Sequence, residues 1–170
     1  PRFEEYRARA RAILDDEQQI AAPEDVIGDH VTNLWRDAKN PRGLWRISPV
    51  AAYAAGKPQW RTLIDVDTLG KQEGKSWVWH GADCVAPEYR RCLVSLSAGG
   101  TDADVVREFD IGTGRFVEGG FVVPEAKSNI SWAGPDALVV VTNYGPESLT
   151  TSGYPRVAKR WRRGTPVDEA

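Results

Sequence analysis

The sequence predicts an all-β fold: a partial β-propeller of about three four-stranded antiparallel blades, preceded by an amphipathic helix. Residues 77–117 contain three strand-like segments and a short fourth, with turn-forming residues at each join. A four-stranded meander of roughly 40 residues has the size of one propeller blade. The segments ending at Asp65 and Asp110 share a pattern, an Asp between apolar residues followed by Thr and Gly, and lie 45 residues apart. Arg162 takes the comparable position 52 residues later, so the pattern recurs loosely three times.

A helix is predicted over residues 2–16, because its apolar residues fall on one stripe at helical spacing. A polar stretch follows as far as Asp29, so residues 1–29 are interpreted as an N-terminal helix and a linker. The sequence leaves open whether the stripe packs on a different layer of protein or caps the β-core. The stripe consists of Phe3, Tyr6, Ala10, Ile13 and Leu14.

The first predicted blade opens with a hairpin of residues 30–37 and 44–50. Asn-Pro and Gly form its turn, between flanks rich in β-branched and aromatic residues. A further strand runs from Trp60 to Val66, and its even-numbered residues are predicted to share one face. The segment before it is bracketed by two prolines, which cannot donate to a strand ladder, so it is predicted to lie outside the central pairing.

The second predicted blade is the segment 77–117, with turns at 83–90, 98–102 and 112–114. In its third strand, apolar and acidic side chains alternate and are predicted to lie on opposite faces. One face carries Val105, Phe109 and Ile111, and the other carries Asp104, Glu108 and Asp110.

The third predicted blade has strands at 128–132, 137–143 and 156–164. The predicted propeller covers residues 30–170, with blades at roughly 30–72, 76–120 and 124–166. Propellers usually have four to eight blades, so three do not close a ring. The chain has no methionine and begins with Pro1, which predicts a fragment. Its open sheet edges are expected to self-associate.

Charge and hydropathy exclude several classes of partner. The chain has 22 basic and 24 acidic side chains and a net charge of −2, which offers no electrostatic basis for binding nucleic acid or an anionic membrane. The longest apolar run is far shorter than the roughly 20 residues of a membrane helix. A cytoplasmic protein is expected, with the periplasm as the alternative.

The two cysteines and two histidines show no zinc-ligand spacing, so no metal and no cofactor are predicted. Cys84 and Cys92 flank one turn, where a disulfide is conceivable in an exported protein. Their largely apolar context favours free, buried thiols.

Two other residue groups have both a packing and a ligand-binding interpretation. Tryptophans within predicted strands can stack on sugars or bases, but core packing is favoured. These are Trp60, Trp77, Trp79, Trp132 and Trp161. A basic cluster near the end of the chain can attract an anion, but a solvated face is favoured. It consists of Arg156, Lys159, Arg160, Arg162 and Arg163.

Six segments, taken in order, resemble the N-terminal region of bacterial prolyl oligopeptidase-family serine peptidases. They are NLWRDAKNPRGLWR (33–46), WVWHGADC (77–84), YRRCLVSLSAGG (89–100), VVREFDIGTGRFV (105–117), PEAKSNISW (124–132) and SGYPRVAKRWRRGTP (152–166). The resemblance implies a seven-bladed propeller, of which this chain holds about the first three blades. It also implies that the N-terminal helix packs near an α/β-hydrolase domain that lies outside this chain. In that family the propeller admits only short peptides, which the hydrolase domain cleaves after proline.

No catalytic residue is predicted within this chain. A nucleophile elbow needs G-x-S-x-G, and Ser97 lacks the glycine two positions earlier. His30 and His80 have no acidic partner that spacing suggests. Cleavage is therefore assigned to a serine outside the chain, and the chain itself is expected to be inert.

The best candidates for contact with substrate are Lys127, Ser128 and Asn129, which open the third predicted blade. The first strand of a blade lines the central channel, and the resemblance places substrate contacts there. Related enzymes can present an apolar residue at this strand, from which Lys127 departs. The expected partners are short peptides, the hydrolase domain and the remaining blades. The alternative is a non-catalytic propeller that acts as a protein-interaction scaffold.

Overall fold

The computed structural model describes residues 2–14 and 21–170. The described residues form three antiparallel sheets with a small helical content. The chain divides into two compact units, one ending at Asp67 and the other beginning at Thr68. The predicted all-β class with an N-terminal helix is confirmed. No helix in the described ranges has the length and hydropathy of a bilayer-spanning segment.

The first unit begins with the helix α1, Phe3–Leu14. It agrees with the predicted helix, whose last two residues, 15 and 16, lie outside the described residues. None of its residues is buried, and Phe3, Tyr6, Ile13 and Leu14 of the apolar stripe are 56–75% exposed. The described residues therefore do not support the interpretation that this helix caps the β-core.

The sheet of the first unit has four strands in sequential antiparallel order: β1 Asp25–Ile27, β2 His30–Trp35, β3 Leu44–Pro49 and β4 Arg61–Asp65. Strand β1 lies in the stretch interpreted as a linker, of which residues 15–20 are outside the description. Its pairing with β2 depends on a tight turn at Gly28, where φ is +59°. A short strand next to such a turn is stabilised mainly by its partner, and its own sequence pattern is weak.

The alternation predicted for β4 is broken by a bulge. Trp45 pairs with Ile64 but Arg46 pairs with Thr62, so Leu63 is the extra residue. Leu63 and Ile64 are consequently both buried. Two helices were not predicted: α2, Val50–Ala54, and α3, Val66–Glu73. The first begins directly after Pro49, in the segment expected to lie outside the pairing.

The second unit contains the predicted meander as β5 Trp77–Cys84, β6 Arg91–Ala98, β7 Asp104–Asp110 and β8 Arg115–Phe116. A further strand, β9 Val122–Ala126, also pairs with β7. Strands β8 and β9 therefore lie along the same edge of β7 with residues 117–121 between them. Residues 124–126, assigned to the third blade, belong to the sheet of the second.

The third sheet has three strands, β10 Asn129–Trp132, β11 Ala137–Val141 and β12 Ala158–Arg162, in sequential order. It packs on the second sheet through a shared hydrophobic core, in which the rings of Phe121 and Trp161 are 4.9 Å apart. The other buried members are Leu93, Val106, Val123, Leu138 and Val140. Asp65, Asp110 and Arg162, on which the inferred repeat is based, are the last residues of β4, β7 and β12.

The tryptophans mostly pack as predicted. Trp77, Trp79 and Trp161 are at most 7% exposed. Trp132 is half-buried and donates its indole N–H to the carbonyl of Asp83. Trp60 precedes β4, and with Trp35 it encloses the guanidinium of Arg46. Trp132 also packs against the hydrophobic core, with its ring 6.0 Å from that of Phe121. Core packing therefore accounts for four of the five, and cation–π contact with Arg46 for Trp60.

Cys84 and Cys92 form a disulfide, so the favoured interpretation as free thiols is wrong. The two residues are direct partners across β5 and β6, with their Cα atoms 3.9 Å apart. Direct cross-strand partners project from the same face of a sheet, which brings the two sulfur atoms together. Spacing alone did not specify the register that creates this pair.

Candidate functional site

The predicted channel residues lie where β9 passes into β10. Lys127 and Ser128 are half-buried in the connection, and Asn129 is the exposed first residue of β10. The three residues are consecutive in sequence, but the structure gives their side chains different surroundings.

Lys127 is engaged by the chain itself. Its ammonium nitrogen is 3.4 Å from Asp102 Oδ2 and 4.2 Å from the centroid of the Tyr154 ring. The hydrogen bond to Asp102 is the main cause that raises the pKa of Lys127. This side chain is positively charged at neutral pH and already has an anionic and an aromatic partner.

Ser128 lines a cleft of about 270 Å³ between the second and third sheets. Its hydroxyl is 2.6 Å from the hydroxyl of Thr142, which fixes it at the cleft wall. The polar lining residues are His80, Asp83, Ser95, Asp104 and Ser128, and the larger apolar ones are Leu93, Val106 and Ile130. Of the three predicted channel residues, only Ser128 lines this cleft.

His80 contacts an acidic residue in the cleft, contrary to the prediction from spacing. Its Nδ1 lies 2.7 Å from Asp104 Oδ1. The two residues are far apart in sequence, but β6 pairs with both β5 and β7 and brings their strands into one sheet. His30 also has an acidic neighbour, Asp29. Neither pair was predicted, because the first depends on strand order and the second on side-chain orientation.

A bulge in β5 directs His80 into the cleft. Trp79 pairs with Leu96 and Gly81 pairs with Ser95, so His80 has no opposing residue. Gly81 has φ +125°, a conformation that favours glycine. Bulges re-aim side chains and are common next to functional sites. The His-Gly pair inside a strand is the sequence feature that indicates such a bulge.

Asp104 is a carboxyl group of the cleft whose pKa is shifted. Its side chain is 22% exposed, and burial raises its pKa while the contact with His80 offsets part of that effect. No serine hydroxyl is hydrogen-bonded to His80 in the described part of the chain, so the pair lacks the nucleophile of a Ser-His-Asp triad. The arrangement is suited to binding a polar ligand.

A second charged cluster joins the same two sheets. Glu108 is 1% exposed and accepts two hydrogen bonds from Arg163, at 2.7 and 3.0 Å, and a third from the Phe121 N–H at 3.0 Å. The hydrogen bond to Glu108 is the main cause that raises the pKa of Arg163. The prediction of a solvated basic face is therefore wrong for Arg163, whereas Arg160 and Arg162 are exposed as expected.

Asp110 extends this cluster. Burial acts to raise its pKa, but the Thr113 N–H and the guanidinium groups of Arg90 and Arg91 together bring that pKa below its usual range. Glu108 and Asp110 are thus buried and paired, which the alternation of apolar and acidic residues did not reveal. Their partners come from other strands or the neighbouring sheet, so the cluster is a structural clamp. Within the described ranges, no three His, Cys, Asp or Glu side chains are grouped to hold a metal ion.

Comparisons with known proteins agree with this architecture. The model of the prolyl oligopeptidase N-terminal β-propeller domain matches residues 4–170. An uncharacterized peptidase of Sinorhizobium fredii is 45% identical over all 170 residues, which are 23% of its own length. The post-proline cleaving enzyme from Rickettsia typhi superposes with a TM-score of 0.87 at 30% identity, over 99% of this chain and 25% of that one.

Oligopeptidase B from Leishmania major superposes with a TM-score of 0.64 over 96% of this chain and 22% of that one; at 14% identity this shows a shared fold alone. The chain therefore spans about a quarter of the length of these relatives. Because the domain model covers almost every residue, the chain belongs to the prolyl oligopeptidase family, in its N-terminal β-propeller domain.

Proposed function

We propose that the chain is part of the gating propeller of a serine endopeptidase that hydrolyses short peptides after proline. The observation that carries this proposal is the close structural likeness to an enzyme whose name describes post-proline cleavage. The propeller would limit access to the active site by size and close over it, and acyl transfer would proceed through a serine outside the chain.

The chain is proposed to be catalytically inert by itself. Its sequence contains no G-x-S-x-G, and the His80–Asp104 pair has no serine hydrogen-bonded to it among the described residues. Its role toward substrate would be contact along the channel, at the cleft that Ser128 lines. Lys127 contributes less than its charge suggests, because Asp102 and Tyr154 already hold it.

The proposed partners are the α/β-hydrolase domain and further blades of the same polypeptide. The stripe of α1 is an apolar surface that is exposed in the described part of the chain, as expected for a helix that packs on another domain. For the compartment, a cytoplasmic location was expected, but the Cys84–Cys92 disulfide favours the periplasm, where disulfides persist.

The proposal is tested by comparing this chain with the whole polypeptide that contains it. Both are incubated with a chromogenic proline peptide and with a serine-directed phosphonate. We expect cleavage and labelling of the whole polypeptide only. Labelling of a serine in the 170-residue chain would disprove its inertness. A whole polypeptide that neither cleaves nor labels would instead support the non-catalytic scaffold.

A further inference from the structure

The cleft between the second and third sheets has the composition of a site for a cationic group. Its ionisable lining residues are His80, Asp83 and Asp104, and no lysine or arginine is among the described residues that line it. Lys127, which precedes the lining residue Ser128, has its ammonium group at Asp102 and Tyr154. The lining therefore contains two carboxyl groups and one imidazole.

Asp104 has the capacity to accept a further donor. Its Oδ1 is buried and in contact with His80 Nδ1, at 2.7 Å. Burial raises the pKa of this carboxyl group, which means that its charged form has lost solvation that one imidazole does not fully replace. A ligand that brings positive charge and N–H donors would restore that stabilisation.

The cleft also limits the size and shape of its ligand. Its volume of about 270 Å³ is just below the range of roughly 300–1,000 Å³ typical of pockets for drug-sized molecules. Ser95 and Ser128 provide hydroxyl groups, and Leu93, Val106 and Ile130 provide apolar wall. The terminal residue of a peptide fits this description, with its charged group at Asp104 and its side chain against the apolar wall.

We propose that this cleft binds the protonated amino terminus of a short peptide, with Asp104 as the carboxylate acceptor and the hydroxyls of Ser95 and Ser128 as supporting acceptors. The bulge at His80 and Gly81 serves this site, because it turns the imidazole toward Asp104 and holds the carboxylate in place. The inference rests on the proposed function, in which short peptides enter the propeller. It adds that the propeller recognises the free amino end.

The test is a titration of the 170-residue chain, followed by NMR, with two probes: Ala-Ala-Ala-amide and its N-acetylated form. Only the free amine can donate a charge-assisted hydrogen bond to Asp104, so we expect it to bind about tenfold more tightly, which corresponds to about 1.4 kcal/mol. Asp104→Asn should remove this preference. Glu125→Gln removes an exposed carboxylate of the same sheet, outside the cleft, and should leave the preference unchanged.

A second variant protects the test against misfolding of Asp104→Asn. Ser95→Leu fills the cleft with Asp104 in place and should abolish binding of both probes. Equal affinity for the two probes, or no binding of either, would overturn the inference. The proposed function is judged separately by cleavage of a proline peptide by the whole polypeptide. Equal cleavage of free and acetylated substrates would leave that function standing and remove only the amino-terminal recognition.

Discussion

Glu108 places a carboxylate between two sheets, where only 1% of its surface reaches solvent. Removing one partner of a buried ion pair typically costs about 3–5 kcal/mol, because the other charge is left uncompensated. The Arg163 side chain is 30% exposed, so solvent reduces that cost. We expect Glu108→Gln to lower the free energy of unfolding by about 2–3 kcal/mol.

Urea unfolding followed by tryptophan fluorescence measures this loss. Glu118 is an exposed acidic residue in the same unit, and Glu118→Gln is the matched control with an unchanged midpoint. If Glu108→Gln unfolded at the same urea concentration as the control, the clamp between the sheets would contribute nothing to stability.

His80 and Asp104 show why the candidate site was only partly predicted. Ser128 was found because the resemblance pointed to the start of the third blade. The His–Asp pair depends on a bulge that re-aims one side chain and on a third strand that supplies the other. Neither is encoded by local spacing, so a search for catalytic spacing along the sequence misses the pair.

At the scale of the elements, the Cys84–Cys92 disulfide links strands β5 and β6 of one hairpin. The disulfide joins residues separated by 8 positions. For a loop of this size, the chain-entropy model gives a stabilisation of about 2–3 kcal/mol. We expect reduction with a phosphine to lower the free energy of unfolding by this amount, which a lower midpoint of urea unfolding would show.

The double variant Cys84→Ser/Cys92→Ser provides the control for this prediction. It should unfold at the midpoint of the reduced protein and should not respond to the phosphine. Equal midpoints for the oxidised and reduced wild-type chains would show that the hairpin is held by its ladder and core alone.

Strands with alternation and turn residues of their own could be predicted, whereas the elements that depend on a partner or on only a few residues were missed, for physical reasons. Strands β5, β6 and β7 have enough alternation and turn chemistry to be recognised individually. Strands β1 and β9 are short and depend on the partners β2 and β7. Likewise, α2 and α3 have 5 and 8 residues, too few for a helical period to outweigh the strand pattern around them.

At the scale of the whole molecule, the described part of the chain has an exposed helix stripe and several outer sheet strands. Among these surfaces are the stripe of α1 and the outer edge of β12, which pairs only with β11 in its sheet. Since related proteins are about four times longer, both surfaces are available for further parts of a longer polypeptide. In the isolated chain an open strand edge is a template for pairing with another copy.

We expect the isolated chain to self-associate through the edge of β12, with a sedimentation coefficient that rises with concentration. Successive N–H groups of a strand point to opposite sides, so Lys159→Pro and Arg160→Pro remove donors from different edges. Lys159 pairs with Val140, and Arg160 pairs with Val139. The variant that loses the N–H on the outer edge of β12 should therefore remain folded and become monomeric. The variant that loses the N–H facing β11 loses a hydrogen bond to β11 and should be destabilised. Deletion of residues 1–14 is the control for the α1 stripe and should leave association intact. Association that persists in both proline variants and disappears on that deletion would assign it to the helix instead.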